Sequence, residues 1–404
     1  MAPMTSPGPA LLVRQLQYRD LDNLKQWQPE ELEAGGDDDA AEAIVSWLDY
    51  QRRWYGPLKV MGWLPGPMPQ GCTTFVAERQ GRLVGLIQVS PFNRTRSTWR
   101  VEQVVINRQT LGHTTTSAGY IDIGSRLLRH CFEVVWEART WMLEVDVNHK
   151  SALALYRFNG FQPLAQVTYW SLEPDQIVTL AEREPDLPNL LPITNADAQL
   201  LYQLDTASMP PLVRQVFDHQ IQDFKVNVLA TAKATADRIV NQIETVSAYV
   251  FEQQRKAAIA QFTLAISRDG KQPHEADLTV HPAYTWLYPE LMTQMAKILR
   301  PFPAQSLRLT SFDYQPEREA CFTQSQTHPE SHALLMSRSV WHKVREARHL
   351  SLEGLQLSEM LTGLQPSGKP VPGRLTWSAE HWPPLMRPHL PESSPAALTS
   401  EGDH

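Results

Sequence analysis

Cysteine is scarce in this chain. Only Cys72, Cys131 and Cys321 occur among 404 residues, widely spaced and without a CxxC pair, which excludes a disulfide framework and a thiolate zinc cluster. Basic residues do not dominate either. Lys plus Arg number 37 against 44 Asp plus Glu, a formal net charge of -7, so gripping nucleic-acid phosphates is not the chain's main business. Nowhere do eighteen apolar residues follow one another, and the start, MAPMTSPGPALLVRQL, has neither an early basic residue nor an apolar run of signal-peptide length. The expectation is a soluble, cytoplasmic protein with no membrane partner. The 13 histidines show no HExxH or paired ligand spacing, so no metal is expected. What is present is ordinary: 42% apolar and 20% charged residues, the balance of a globular chain long enough for two domains.

Along the first half, LLVR at 11–14 reads as a short strand, and TTFVAE from Thr73 followed by RLVGLIQVS reads as a hairpin. TWRVEQVVIN, 98–107, is a third strand of an antiparallel meander. The period then changes. Ile123, Leu127, Leu128, Cys131, Val134 and Val135 fall on one stripe of a helix over 121–138. WMLEVDVN alternates as a strand, residues 149–158 form a short helix stopped by Asn159 and Gly160, and Val167 to Leu172 closes the block. The acidic stretch EELEAGGDDDAAE, 30–42, reads as a solvated loop before a helix. Trp99, Trp136, Trp141 and Trp170 are expected in the core.

The segment VDVNHKSALALYRFNGF, Val145 to Phe161, with the meander and the IGSRLL helix before it, resembles the GCN5-related N-acetyltransferase (GNAT) superfamily over about residues 11 to 172. Asn148, Ala152, Leu155, Tyr156, Gly160 and Phe161 carry the resemblance, with Ala152 and Tyr156 one place further from Asn148 than is usual. It implies acetyl-CoA as co-substrate and direct attack of an amine on the thioester. Tyr156 matches the tyrosine that protonates the departing thiolate, and Glu102 stands where members carry the carboxylate that assists deprotonation. The bland reading of Glu102 is a pair with Arg100 or Arg96. The backbone of Val104, Val105 and Ile106 would face the pantetheine amides, with Asn148 nearby. The pyrophosphate would lie by Arg108, Gln109, Gly112, Gly119, Gly124 and Ser125, at a helix amino terminus. If Gly124 ends the phosphate loop, Asp122 and Gly119 fall where the family has glycine and a Gln or Arg. Simple alternation puts Glu102, Val104 and Ile106 on one face, opposite Val101, Gln103 and Val105.

The fold class expected is therefore α+β, two acetyltransferase-like domains, each a mixed, mostly antiparallel sheet flanked by helices. Domain boundaries fall at 10–173 for the first, 174–192 for a linker with four prolines, and 193–346 for the second. Residues 347–404 form a carboxy-terminal extension, Pro-rich from Pro366. The second half repeats the element order, and LTVHPAYTWLYPELMTQMAKIL, 278–299, resembles the same superfamily more faintly. There Tyr284, Trp286, Tyr288 and Pro289 replace the glycines, so that half reads as a degenerate copy. The acceptor implied is a small-molecule or peptide amine, the assembly a monomer or homodimer. A non-catalytic tandem protein that binds a metabolite or a protein partner is the alternative.

Overall fold

The computed structural model describes residues 11–27, 32–34, 72–111, 116–187, 189–225 and 242–340. Its strands are β1 (Leu12–Gln15), β2 (Leu32–Ala34), β3 (Thr73–Arg79), β4 (Arg82–Pro91), β5 (Thr98–Asn107), β6 (Thr140–Asp146) and β7 (Gln162–Leu172). The second half contributes β8 (Leu190–Pro192), β9 (Ile243–Glu252), β10 (Ala257–Ser267), β11 (His274–Val280), β12 (Leu307–Phe312) and β13 (His328–Ser339). The α-helices are α1 (Tyr18–Leu24), α2 (Thr116–Val134), α3 (Lys150–Phe158), α4 (Pro174–Ala181), α5 (Ala198–Ser208), α6 (Pro211–Phe217), α7 (Leu287–Leu299) and α8 (Pro316–Gln324). The class is α+β, a mixed and mostly antiparallel sheet flanked by helices. The extension from residue 347 and Gly112 lie outside the described residues, as do all but 32–34 of the acidic stretch.

Local chemistry explains the first meander. Gln80 and Gly81 both take positive φ, 54° and 77°, the two-residue turn whose twist matches that of the strands it joins. Leu83 to Val89 are all buried, because β4 is covered on both faces. On one face Ile123 and Leu127 of α2 meet Ile87, Val104 and Ile106; on the other Leu21 and Leu24 of α1 meet Leu86 and Val105. A fork ties α1 in place. Arg14 donates Nη1 and Nη2 to the two oxygens of Asp20 at 2.6 and 2.8 Å, and Nε to Glu78 at 3.0 Å. Burial raises the Asp20 carboxyl, and the Arg14 fork overrides this to hold it below its ordinary value. Arg14→Ala leaves that carboxylate, 2% exposed, buried without its partner, and is expected to cost ~3–5 kcal/mol in urea unfolding. Because the Asp20 value is depressed on folding, its contribution is present above pH ~4 and lost as pH falls through the folded value. The variant should therefore show a weaker acid destabilisation than the parent.

The proline-bearing stretch 174–192 holds two regular elements, α4 and β8. Pro174 occupies the first turn of α4, where its missing N–H costs nothing, and Ile177, Leu180 and Ala181 are buried in the core that Leu291 and Met295 of α7 share. β8 pairs with β9.

The largest departure from the sequence reading concerns the last strand of each half. All strands but β2 lie on one path, ordered β1-β3-β4-β5-β6-β13-β7-β12-β11-β10-β9-β8. β7 does not close the first block beside β6. β13, from the end of the second half, stands between them, antiparallel to both, while the far edge of β7 pairs with β12. Cores follow strands: Met336 of β13 sits in the α2 core, and Trp170 and Leu172 of β7 sit in the α7 core. Arg338 of β13 also donates to the carbonyl of Asn159 and lies over the Phe132 ring, 4.3 Å from its centroid. Of the four tryptophans expected inside, Trp99, Trp141 and Trp170 are buried, whereas Trp136 is 77% exposed.

Candidate active site

β5 and β6 run parallel, and such strands stay paired only while their edges remain in reach. Here they pair at Thr98, Trp99 and Arg100 of β5 with Thr140, Trp141 and Met142 of β6, then diverge. Beyond Arg100 the β6-side edge of β5 is open from Val101 to Val104 among the described residues. The opening coincides with an irregularity: Gln88 faces Gln103 while Val89 faces Val101, so Glu102 is the extra residue of a β-bulge. The bulge resets the alternation. Trp99 and Val101 share the α2 core with Val104 and Ile106, and Glu102 is freed from it, which corrects the grouping of Glu102 with Val104 and Ile106.

Glu102 accepts a hydrogen bond from Ser90 Oγ, and its Oε2 lies 3.5 Å from Arg100 Nε, the partner that the bland reading named. Arg100 also reaches Glu144 of β6, 3.4 Å away, and Glu144 accepts from the Tyr169 hydroxyl of β7. Four strands thus place Ser90, Arg100, Glu102, Glu144 and Tyr169 together where β5 and β6 part. Two carboxylates against one guanidinium leave the cluster a unit negative. Sequence reasoning missed Glu144 and Tyr169. The charge alternation of β6 pointed Glu144 away from the core, but nothing local showed which strands would meet there.

Cys72 borders the cluster. Burial, then the charge of Glu102, pushes its thiol up to about 12, so at neutral pH it is not a thiolate nucleophile. Tyr156 stands on the α2 side, 2% exposed, its ring edge-on to Phe161 at 5.8 Å. Burial pushes its phenol well above the usual value, so it stays protonated at neutral pH.

Other expected residues divide into two groups. Arg108 and Gln109 are exposed in a 3-10 turn, Arg108–Leu111, directly after β5, and Gly119 is in the first turn of α2. Asn148 is exposed and, with His149, Lys150 and Ser151, lines an open cavity of about 480 Å³ at the start of α3. The His149 ring caps that helix, accepting from the Ala152 N–H at 3.2 Å. Gly124 and Ser125 belong elsewhere, a correction. Eight residues past Thr116, Gly124 lies ~12 Å along the α2 axis, buried against α3. A Cβ there would meet the Leu155 methyls at 2.6 and 2.9 Å. Ser125 Oγ, also buried, accepts from Asn159 Nδ2 at 2.8 Å. These two are small so that α2 and α3 can touch. Gly124→Ala is expected to destabilise by ~1–3 kcal/mol through overpacking, measured by denaturant unfolding. Asp122 neither caps α2 nor begins it. It is half exposed and pairs with Arg126 at 3.3 Å and Arg79 at 3.8 Å.

Val105 and Ile106 are not open in this structure. Each is paired on both edges, with Leu86 and Gly85 of β4 on one side and with Ala34 and Glu33 of β2 on the other. Their backbone groups are engaged within the chain, and among the described residues Val104 is the last open position. In the second half, β11 and β12 likewise pair only at His274 with Leu307 and Glu275 with Arg308 before parting. There Arg318 of α8, 2% exposed, bridges the strands, donating Nη1 to the Thr310 carbonyl at 3.1 Å and Nη2 to that of Leu278. A guanidinium fills the second gap.

A meander, a bulged strand, a parallel partner that diverges and a helix across the gap define an α+β acyltransferase-like architecture. Residues 46–161 match the model of the acetyltransferase (GNAT) family. Among solved structures, a GCN5-related N-acetyltransferase from Sphaerobacter thermophilus is similar at 12% identity over 81% of this chain and 95% of that one, with a TM-score of 0.48. A tandem GNAT protein from the clavulanic acid biosynthesis pathway is similar at 12% identity over 82% and 98%, TM-score 0.48, and a Drosophila protein at 14% over 81% and 98%, TM-score 0.44. No curated protein matches the chain. Among the described residues no group of three or more His, Cys, Asp or Glu is placed to hold a metal ion, and no helix is long and apolar enough to cross a membrane.

Proposed function

We propose that this protein moves an acetyl group from acetyl-CoA to an amine by direct attack, with the chemistry in the first half. The observation that carries the reading is the divergence of β5 from β6 beyond Arg100 and Met142, which among the described residues leaves an open strand edge beside two carboxylates. The thioester arm would lie along that edge, and its pyrophosphate by Arg108, Gln109 and Gly119, near the start of α2. An amine is protonated at neutral pH. Glu102, released from the core by its bulge and held by Ser90 and Arg100, would take a proton from it, directly or through water. Glu144 and Tyr169 would orient the ammonium. The net negative cluster favours a cationic small-molecule or peptide amine. Tyr156 would return a proton to the departing thiolate. The neutral Cys72 thiol argues against an acyl-enzyme on that residue.

The second half would support the first, supplying β13, while Arg318 closes its own gap. One observation favours a binding protein without chemistry instead: Val105 and Ile106 are already paired with β2. Free-thiol release from acetyl-CoA across a panel of amines, with thermal shift by acetyl-CoA and free CoA, tests both. Stabilisation of ~2.7 kcal/mol is expected at a hundred times the dissociation constant. Millimolar ligand with neither shift nor thiol release would leave only the binding protein.

A further inference from the structure

We propose that β2 is an internal occupant of the acyl-CoA slot, which the thioester must displace in order to bind. This inference rests on the reading above. A strand has two edges, and each accepts one neighbour at ~4.8 Å. β4 takes one edge of β5 along its length, including Val105 and Ile106. β2 pairs with those same two residues and with Asn107, so it takes the other edge, the one that β6 uses at Thr98 to Arg100. The backbone N–H and C=O groups that a pantetheine arm would use beyond Val104 are therefore held by Leu32, Glu33 and Ala34. Two partners cannot share one row of donors and acceptors, so β2 and the full arm are mutually exclusive.

Among the described residues β2 pairs over three positions, and Leu32, 8% exposed, packs with Leu21, Leu24, Leu86 and Val105. Short elements open at the low end of the local stability scale. Displacement lowers the apparent affinity by the fraction of molecules whose slot is open. The occupied edge thus makes acyl-CoA affinity depend on whatever draws residues 32–34 away from β5.

Calorimetric titration of acetyl-CoA into the full chain, Leu32→Gly and Ala34→Pro tests this. The first variant removes the Leu32 side chain, and the second places in the strand a proline, which strand pairing disfavours. Both are expected to bind about tenfold more tightly or better. In the parent chain, hydrogen exchange at 32–34 should accelerate when acetyl-CoA is added, a measurement independent of how well the variants fold. Equal or weaker binding by the variants, with exchange at 32–34 unchanged by ligand, overturns the occupant and leaves the transferase reading standing. No binding by any of the three proteins removes both.

Discussion

Residues 10–173 expressed alone are expected to give an insoluble or molten chain, without a cooperative unfolding transition. β13 runs between β6 and β7, and without it β6 loses its neighbour on that side and β7 loses both of its neighbours. The α2 core loses Met336, Trp170 and Leu172 lose the α7 core that buries them, and Asn159 loses its Arg338 donor. Bare apolar strand edges are templates for aggregation. The combined loss competes with a total stability of only ~5–15 kcal/mol. Gel filtration and near-UV circular dichroism read the outcome. Co-expression with residues 174–404 is expected to restore a soluble complex, because β13 then returns. A single-site probe is gentler: Met336→Ala should cost ~2–5 kcal/mol and destabilise the first core although the residue lies far along the chain. A sharp, reversible transition for 10–173 alone would show that the exchanged strand is not needed.

Tyr156→Phe is expected to lower kcat by about a hundredfold or more with little change in acetyl-CoA affinity. The ring packing on Phe161 survives the substitution, and the lost hydroxyl is the proposed proton donor to the thiolate. Glu102→Gln should behave differently. Its loss should be greatest at low pH, where the amine is most protonated, and relieved as pH rises toward the amine's own value, because the residue's task is to accept that proton. A pH profile of kcat/KM for the two variants separates these roles. If Tyr156→Phe turns over at the parent rate, the acid is another group.

Much of the first half was legible because its elements are local. The strand at 98–107 has the bounds its composition predicts, and the Asn159–Gly160 stop ends α3 as written, with Gly160 at φ 82°. Gly124 was misread for a physical reason: glycine serves a phosphate and a helix crossing equally well, and only the position of Leu155 distinguishes them. The face of Glu102 was misread because alternation assumes an unbroken pleat, and a bulge is a property of two strands together. Arg318 carried no signal at all. A buried arginine reads as a surface one until its two carbonyl partners come together.

The chain itself determined its α+β class, the local elements of its first half and the match of residues 46–161 to the acetyltransferase family model, since each depends on neighbours a few positions apart. Tertiary structure decided which strands pair. It sent β13 into the first half and β7 to the second, gathered Arg100, Glu102, Glu144 and Tyr169 from three strands, and laid β2 on the edge of β5. Strand edges are chemically alike, every residue offering the same donor and acceptor, so local sequence names no partner. The choice falls to the burial that each long-range pairing completes.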